Sequence, residues 1–119
     1  MRVTCGKDPE LEGVQLAALA GPLDAVGSVQ FWEAIEGRLT AEAPSLLVDM
    51  SDVPYVSSAG IGMLVRALTR CQAMGGGIAA FGGVDRVRQV FQICGLEAVL
   101  NTGCATAADA RTRLRASLG

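Results

Sequence analysis

The sequence of 119 residues contains no histidine, and Lys7 is its only lysine. The lack of histidine removes the commonest general base and every Ser-His or Cys-His nucleophile pair. No GxxxxGKS or GxxxxGKT phosphate loop is present, and the three glycines at residues 75–77 do not match a dinucleotide-binding fingerprint. We therefore expect a protein that works by binding, uses no cofactor and is not an enzyme.

Long apolar runs are missing as well. No run approaches the roughly 18 residues needed to span a bilayer, and residues 1–10 lack the apolar stretch of a secretory signal. Half of the residues are hydrophobic and 18% are charged, which excludes a globally disordered chain. We expect one cytoplasmic domain over residues 1–119, with no transmembrane segment. Since aromatic residues make up only 4%, its core should consist of Ala, Val, Leu and Ile.

Neither a metal site nor a nucleic-acid surface is predicted. Four cysteines are widely spaced along the chain: Cys5, Cys71, Cys94 and Cys104. No pair has CxxC spacing and no histidine could complete a mixed zinc site, so we interpret all four as small, mostly buried thiols without disulfides. The net charge is −2, and the one local cluster of arginines, at residues 111–115, is typical of the solvated face of a helix.

Apolar runs and helical patterns alternate along the chain. We predict strands at residues 2–6, 14–20, 46–50, 78–81 and 99–101. We predict helices at residues 25–40, 58–74, 84–94 and 106–117, with Asp24 and Thr106 as caps of the first and the last. This alternation favours an α/β domain in which helices pack against a parallel or mixed sheet.

Two adjacent serines, Ser57 and Ser58, stand where a predicted strand gives way to a predicted helix. The free N–H groups and the dipole at a helix start favour negative charge, so either hydroxyl could carry a phosphate there. Serine is also among the best helix caps, and the residues alone allow both interpretations. Phosphorylation would require a partner kinase and would make the chain a switch.

Three carboxylates are expected near these serines, because ligands gather where the strands of an open α/β sheet end. Asp24 lies at the end of the strand predicted at 14–20, and Asp49 and Asp52 lie at the end of the strand predicted at 46–50. Such acids could orient a serine hydroxyl and later repel its phosphate. Taken singly, Asp24 could instead cap its own helix, and Asp52 could form an Asx turn.

Two glycines, Gly60 and Gly62, follow the serines within one helical turn. Glycine inside a helix costs about 0.5–1 kcal/mol relative to alanine, so the pair needs a reason. Both residues leave the start of the helix flat. This flatness would let a partner backbone approach closely, or it would let the helix pack closely on its own sheet.

Residues 46–64, LLVDMSDVPYVSSAGIGML, resemble the signature of the STAS family, the anti-sigma factor antagonists. In that family a hydrophobic strand is followed by Asp-Leu-Ser, an aromatic residue, Asp-Ser-Ser-Gly-Leu and a helix. The turn GPLD at residues 21–24, the pairs GL at 95–96 and VL at 99–100, and the segment at 106–110 also resemble family features. The resemblance therefore covers nearly the whole chain.

The resemblance implies a single α/β domain with a mixed sheet of four to five strands and about four helices packed against it. It also implies a partner, an anti-sigma factor with serine kinase activity. In the family, the unphosphorylated antagonist binds this kinase and releases a sigma factor until the kinase phosphorylates one serine. Other members are accessory subunits of ABC transporters or parts of stress-signalling complexes without sigma control, and this alternative stays open.

Matched position by position, the phosphoacceptor of the family falls on Ser58. Ser57 stands where many phosphorylated members have an acid, Ala59 where they have a second serine, and Asp24 matches the family's other acid near the site. We expect the residues that flank this site to take part in binding the partner. They are Asp24, Asp49, Asp52, Ser57, Ala59, Gly60 and Gly62.

Overall fold

Four strands form one mixed sheet within residues 1–118, the part of the chain that the computed structural model describes. They are β1 (Arg2–Lys7), β2 (Val14–Ala20), β3 (Ser45–Asp52) and β4 (Ile78–Phe81). The strands lie side by side in chain order, with β1 antiparallel to β2 and the pairs β2–β3 and β3–β4 parallel. The continuous apolar runs in β2 and β3 fit this order, because central strands are covered on both faces.

Five α-helices cover the sheet in the same part of the chain: α1 (Ala25–Ile35), α2 (Ser58–Ala73), α3 (Asp85–Ile93), α4 (Glu97–Leu100) and α5 (Ala107–Leu118). The predicted caps are confirmed, since Asp24 Oδ1 accepts from the Gly27 N–H at 2.8 Å and Thr106 Oγ1 from the Asp109 N–H at 3.2 Å. None of these helices is long and apolar enough to cross a membrane.

The sheet separates two layers of apolar side chains. Alternate residues of β3 face opposite layers, so Val48 and Met50 pack in the larger core with α1, α2 and α3, whereas Leu47 packs with α5. Phe31 of α1 and Phe91 of α3 are fully buried in the larger core. The predicted class, an α/β domain with a mixed sheet and about four long helices, is confirmed.

The strand predicted at residues 99–101 is wrong, because the chain forms α4 there. The helix ends at Asn101, whose left-handed backbone (φ 51°) stops it. Asn101 Nδ2 then donates to the Ile78 carbonyl at 2.9 Å, and an isolated bridge between Phe81 and Cys104 extends the edge of the sheet. So short an apolar segment fits one helical turn as well as a strand, and periodicity could not decide between them.

The first predicted helix is too long. Residues 25–40 are predicted as one helix, but α1 ends at Ile35 and a 3₁₀ turn, Glu36–Arg38, follows. Leu39 then returns to an extended backbone and buries its side chain in the core. The apolar side chain of Leu39 fits the helical pattern but reaches the core from a different conformation.

The cysteine prediction also needs a correction. Cys71 and Cys104 are buried and Cys5 is half-buried, but Cys94 is exposed just beyond the last residue of α3. Burial raises the pKa of the Cys71 thiol to about 12, which keeps it protonated in the core. Cys94 lies past Phe91, the last buried residue of its helix, so the core does not reach it.

A buried ion pair joins the turn between β1 and β2 to α5. The fully buried carboxylate of Asp8 accepts from Arg111 Nη2 at 2.9 Å and from Arg111 Nε at 3.1 Å. Its Oδ2 atom also accepts from the Leu11 N–H at 2.9 Å. Burial by itself raises the pKa of Asp8, but the hydrogen bonds from Arg111 and the backbone outweigh burial and hold the pKa below its ordinary value.

We expect Asp8→Asn to lower the free energy of unfolding at neutral pH by about 1–3 kcal/mol, because Arg111 loses its charged acceptor. A lowered pKa in the folded state stabilises the fold above the unfolded-state pKa of about 4. This contribution is lost as the pH falls through the folded-state pKa, so the gap between the two proteins should narrow in acid. Denaturant unfolding at pH 7 and pH 3 measures both effects.

The matched control is Asp52→Asn, which changes an exposed carboxylate that makes no ion pair within residues 1–118. This variant should unfold like the native protein at both pH values. An equal loss of stability in the two variants, or a gap for Asp8→Asn that does not depend on pH, would contradict the assignment.

Candidate functional site

The turn after β2 and the turn after β3 are hydrogen-bonded to each other. The Leu23 N–H donates to the Tyr55 carbonyl at 3.0 Å, and the Ser57 N–H donates to the Leu23 carbonyl at 3.1 Å. Leu23 and Val56, both buried, form a parallel bridge between these two bonds. The contacts extend the β2–β3 pairing beyond the strands and fix the start of α2 against the turn that precedes α1.

Ser57 is the cap of α2. Its backbone is extended, and its Oγ atom accepts from the Gly60 N–H at 3.4 Å. The same hydroxyl donates to the Leu23 carbonyl, also at 3.4 Å. The side chain is half-buried and uses both its donor and its acceptor, so the capping interpretation holds for Ser57.

Ser58 is the first residue of α2 and is exposed. Its hydroxyl makes no hydrogen bond within residues 1–118. The N–H groups of Ser58 and Ala59 have no acceptor inside the helix, because the first turn of any helix lacks them. The first turn of α2 also contains no acidic residue. Ser58 therefore presents a free hydroxyl at the positive end of a sixteen-residue helix.

Asp24 lies beside this helix start and has two roles. Its Oδ1 atom caps α1, and its Oδ2 atom accepts from the Tyr55 hydroxyl at 3.4 Å. Tyr55 belongs to the turn that leads into α2, and 43% of its surface is exposed. The structure thus brings Asp24, Tyr55 and Ser57 together at the paired turns, and the carboxylate of Asp24 is oriented by bonds on both oxygens.

The other two predicted acids lie farther along β3. Asp52 is exposed, and its carbonyl accepts from the Gly21 N–H at 3.0 Å, which ties it to the same pair of turns. Asp49 shares its face of the sheet with Leu47, on the side of α5, so it is not brought to Ser58. Its Oδ1 atom accepts from both the N–H and the Oγ of Ser51, at 3.0 and 2.6 Å. The Asx turn that was one alternative for Asp52 forms at Asp49.

The two glycines of α2 have different surroundings. Gly60 is buried, and a Cβ atom there would collide with the Leu23 carbonyl oxygen and crowd the Val56 side chain. Gly62 is exposed, and a Cβ atom there would meet no other atom within 4 Å. Close packing on the protein's own backbone explains Gly60. Gly62 and the exposed Ala59 leave the outer surface of α2 flat beside Ser58.

Exposed apolar side chains lie on the outward sides of α1 and α2. Val26 and Val29 of α1 are 67% and 51% exposed, and Val65 of α2 is 36% exposed. The outward sides of α1 and α2, together with Tyr55, are called the α1–α2 face below. Sequence reasoning missed this feature. The signal was the spacing of Val26 and Val29, which places them together on one side of α1, away from the buried Phe31.

Farther from Ser58, a groove of about 410 Å³ lies between α1 and α2. The guanidinium carbon of Arg66 lies 4.2 Å from the centre of the Trp32 ring, a cation–π contact across the two helices. Glu36 and Arg70 border the same groove. This contact was also missed from the sequence, since residues 34 positions apart give no local pattern.

Comparison with known proteins shows a family match and a related protein. The family model described as STAS domain matches residues 8–110. An anti-sigma-B factor antagonist from Listeria monocytogenes serovar 1/2a is 30% identical over 82 residues, which are 69% of this chain and 72% of the relative.

Two solved structures share the fold. The anti-sigma factor antagonist SpoIIAA in its unphosphorylated form has a TM-score of 0.76 at 20% identity and covers 97% of both chains. The Bacillus cell fate determinant SpoIIAA in its phosphorylated form has a TM-score of 0.69 at 19% identity, over 96% of this chain and 100% of the other.

The β-strand order, the paired turns and the serine at the start of α2 define a small α/β domain. The match over residues 8–110 then identifies it: the chain belongs to the STAS domain family.

The two serines should differ in their effect on stability. Ser57→Ala should lower the free energy of unfolding by about 0.5–2 kcal/mol, because the Gly60 N–H loses its cap. Ser58→Ala should change it by less than about 0.5 kcal/mol, because the hydroxyl of Ser58 makes no bond and alanine favours a helix. Thermal or denaturant unfolding of the two variants measures the difference, and each variant serves as the control of the other. A larger loss for Ser58→Ala than for Ser57→Ala would contradict the assignment of the cap.

Proposed function

We propose that this protein is an anti-sigma factor antagonist that is switched by phosphorylation of Ser58. In the unphosphorylated state it binds an anti-sigma factor with serine kinase activity, and so releases a sigma factor in the cytoplasm. The kinase later phosphorylates Ser58 and ends the complex. The observation that carries this proposal is the free, exposed hydroxyl of Ser58 at the start of α2.

The surroundings of Ser58 support its role as acceptor. Its neighbour Ser57 uses its hydroxyl to hold the helix start, so a phosphate on Ser57 would remove the bond that this hydroxyl donates to the Leu23 carbonyl. A phosphate on Ser58 would break none, and it would lie near the free N–H groups of the first turn. The names of the relatives agree with this switch, since one is an anti-sigma-B factor antagonist and SpoIIAA exists in unphosphorylated and phosphorylated forms.

The α1–α2 face supports the binding half of the proposal. Val26, Val29 and Val65 offer apolar area that a partner can bury, and Gly62 lets a partner backbone come close to Ser58. A phosphate at Ser58 would place roughly 1.5 to 2 negative charges on the α1–α2 face. The partner would have to desolvate that charge, so the complex is lost while the domain stays folded.

We expect Ser58→Glu to weaken binding of the anti-sigma factor at least tenfold, because its charge imitates the phosphate. The same change should leave the thermal midpoint equal or slightly higher, since an acid in the first turn of a helix contributes about 0.3–1 kcal/mol. Ser58→Ala should bind like the native protein. Calorimetric titration with the anti-sigma factor and thermal unfolding measure both properties.

The matched control is Thr112→Glu, which adds the same charge on an exposed residue of α5, on the opposite side of the sheet. It should bind the anti-sigma factor normally. Equal affinity of Ser58→Glu and Ser58→Ala would sink the switch, and loss of binding in Thr112→Glu would show that overall charge, and not position, decides.

The identity of the partner class can be tested separately. Immobilised Ser58→Ala should retain an ATP-binding serine kinase from a lysate of the source cells, and Ser58→Glu should not. Retention of a transporter ATPase by both variants would assign the protein to the accessory subunits without sigma control.

A further inference from the structure

A cavity of about 690 Å³ lies at the end of the sheet opposite to Ser58. Its walls are the turn between β1 and β2, residues 8–13, and the connection from α1 to β3, which contributes Arg38, Thr40, Glu42 and Ala43. Ser58 follows the last residues of β3, whereas the cavity lies where β2 and β3 begin. The eight residues of β3, at about 3.3 Å each, separate the two places by roughly 25 Å. The volume is within the range of small-molecule sites.

The walls of this cavity are held by their own hydrogen bonds. Asp8 is fixed by Arg111, and its N–H donates to the Val14 carbonyl at 2.8 Å. Thr40 and Ala43 exchange two backbone bonds of 3.1 and 3.2 Å across the other wall. The two walls are joined as well, because the Ser45 N–H donates to the Gly13 carbonyl at 3.1 Å. The cavity is therefore preformed.

Gln15 of β2 lines the cavity and is only 8% exposed. Its Oε1 atom is buried and has no hydrogen-bond partner within residues 1–118. An unpaired polar atom in such a place destabilises a fold, and a leucine of similar size would avoid the loss. A buried amide without a protein partner at the wall of a preformed cavity indicates a ligand that supplies the missing donor.

The other lining residues indicate what this ligand is. Lys7 and Arg38 supply positive charge. Glu10, Glu12 and Glu42 supply negative charge, whereas the carboxylate of Asp8 is paired with Arg111. The described lining includes no aromatic side chain on which a flat ring could stack. Charges of both signs around a neutral amide match a small zwitterion.

We propose that this cavity binds a free α-amino acid. Its ammonium group donates to Gln15 Oε1 and faces the carboxylates, and its carboxylate group faces Lys7 and Arg38. Thr40 and Ala43 border the remaining space, which takes the side chain of the ligand.

The binding test offers the twenty standard amino acids one at a time to the full-length ¹⁵N-labelled protein. At least one should cause saturable shifts of the amide resonances of residues 13, 15 and 40. The N-trimethyl derivative of that amino acid has no N–H donor and should bind at least tenfold more weakly. No saturable shift with any amino acid, or equal binding of the trimethyl derivative, would overturn the proposal.

A variant links the ligand to the unpaired amide. Gln15→Leu should weaken binding of that amino acid tenfold or more and should raise the thermal midpoint of the free protein, because the unpaired atom is gone. Gln92→Leu makes the same change on an exposed residue of α3 and should alter neither property. A lower thermal midpoint for Gln15→Leu would show that Gln15 serves the fold, and would overturn the proposal.

A second variant tests the binding of the amino acid without changing a buried residue. Lys7 is exposed, so Lys7→Ala should leave the fold intact while it weakens binding of the amino acid. Full affinity in Lys7→Ala would contradict the proposed position of the ligand carboxylate.

Discussion

The carbonyl oxygen of Leu23 is the point on which the site depends. It accepts from both the N–H and the hydroxyl of Ser57, and Gly60 lies so close to it that no Cβ atom would fit. These contacts fix Ser57 as the cap of α2. Ser58, one residue on, is turned outward with its hydroxyl free. One backbone atom in the turn before α1 thus decides which of two adjacent serine hydroxyls is bonded within the fold and which is free.

Much of the fold could be predicted from the sequence, because β2, β3 and β4 are apolar runs bounded by turn residues and the helices begin at recognisable caps. The different roles of Ser57 and Ser58 could not be predicted in this way. Both serines stand at a helix start, and the bond that separates them comes from Leu23, 34 residues earlier. Asp49 likewise needed the register of β3, since one position decides which face of the sheet a side chain takes.

Both ends of the sheet contain residues that the stability of the fold does not explain. At the end near Ser58, Gly62 lies inside α2 with no neighbour that a Cβ atom would meet, and Val26 and Val29 are exposed to solvent. At the other end, Gln15 buries an amide without a partner. A helical glycine and an unpaired buried amide each lower the stability of a domain, and exceptions of this kind are typical of functional sites. Asp8 differs from these residues, because its buried carboxylate accepts hydrogen bonds from Arg111 and from the backbone of its own turn.

The most direct measurement of the central claim is the position of the phosphate after incubation with the anti-sigma factor and ATP. Tandem mass spectrometry of the peptide that contains both serines distinguishes them. The account predicts phosphate on Ser58 and none on Ser57, and no incorporation in Ser58→Ala. Phosphate on Ser57 alone, or undiminished incorporation in Ser58→Ala, would contradict it.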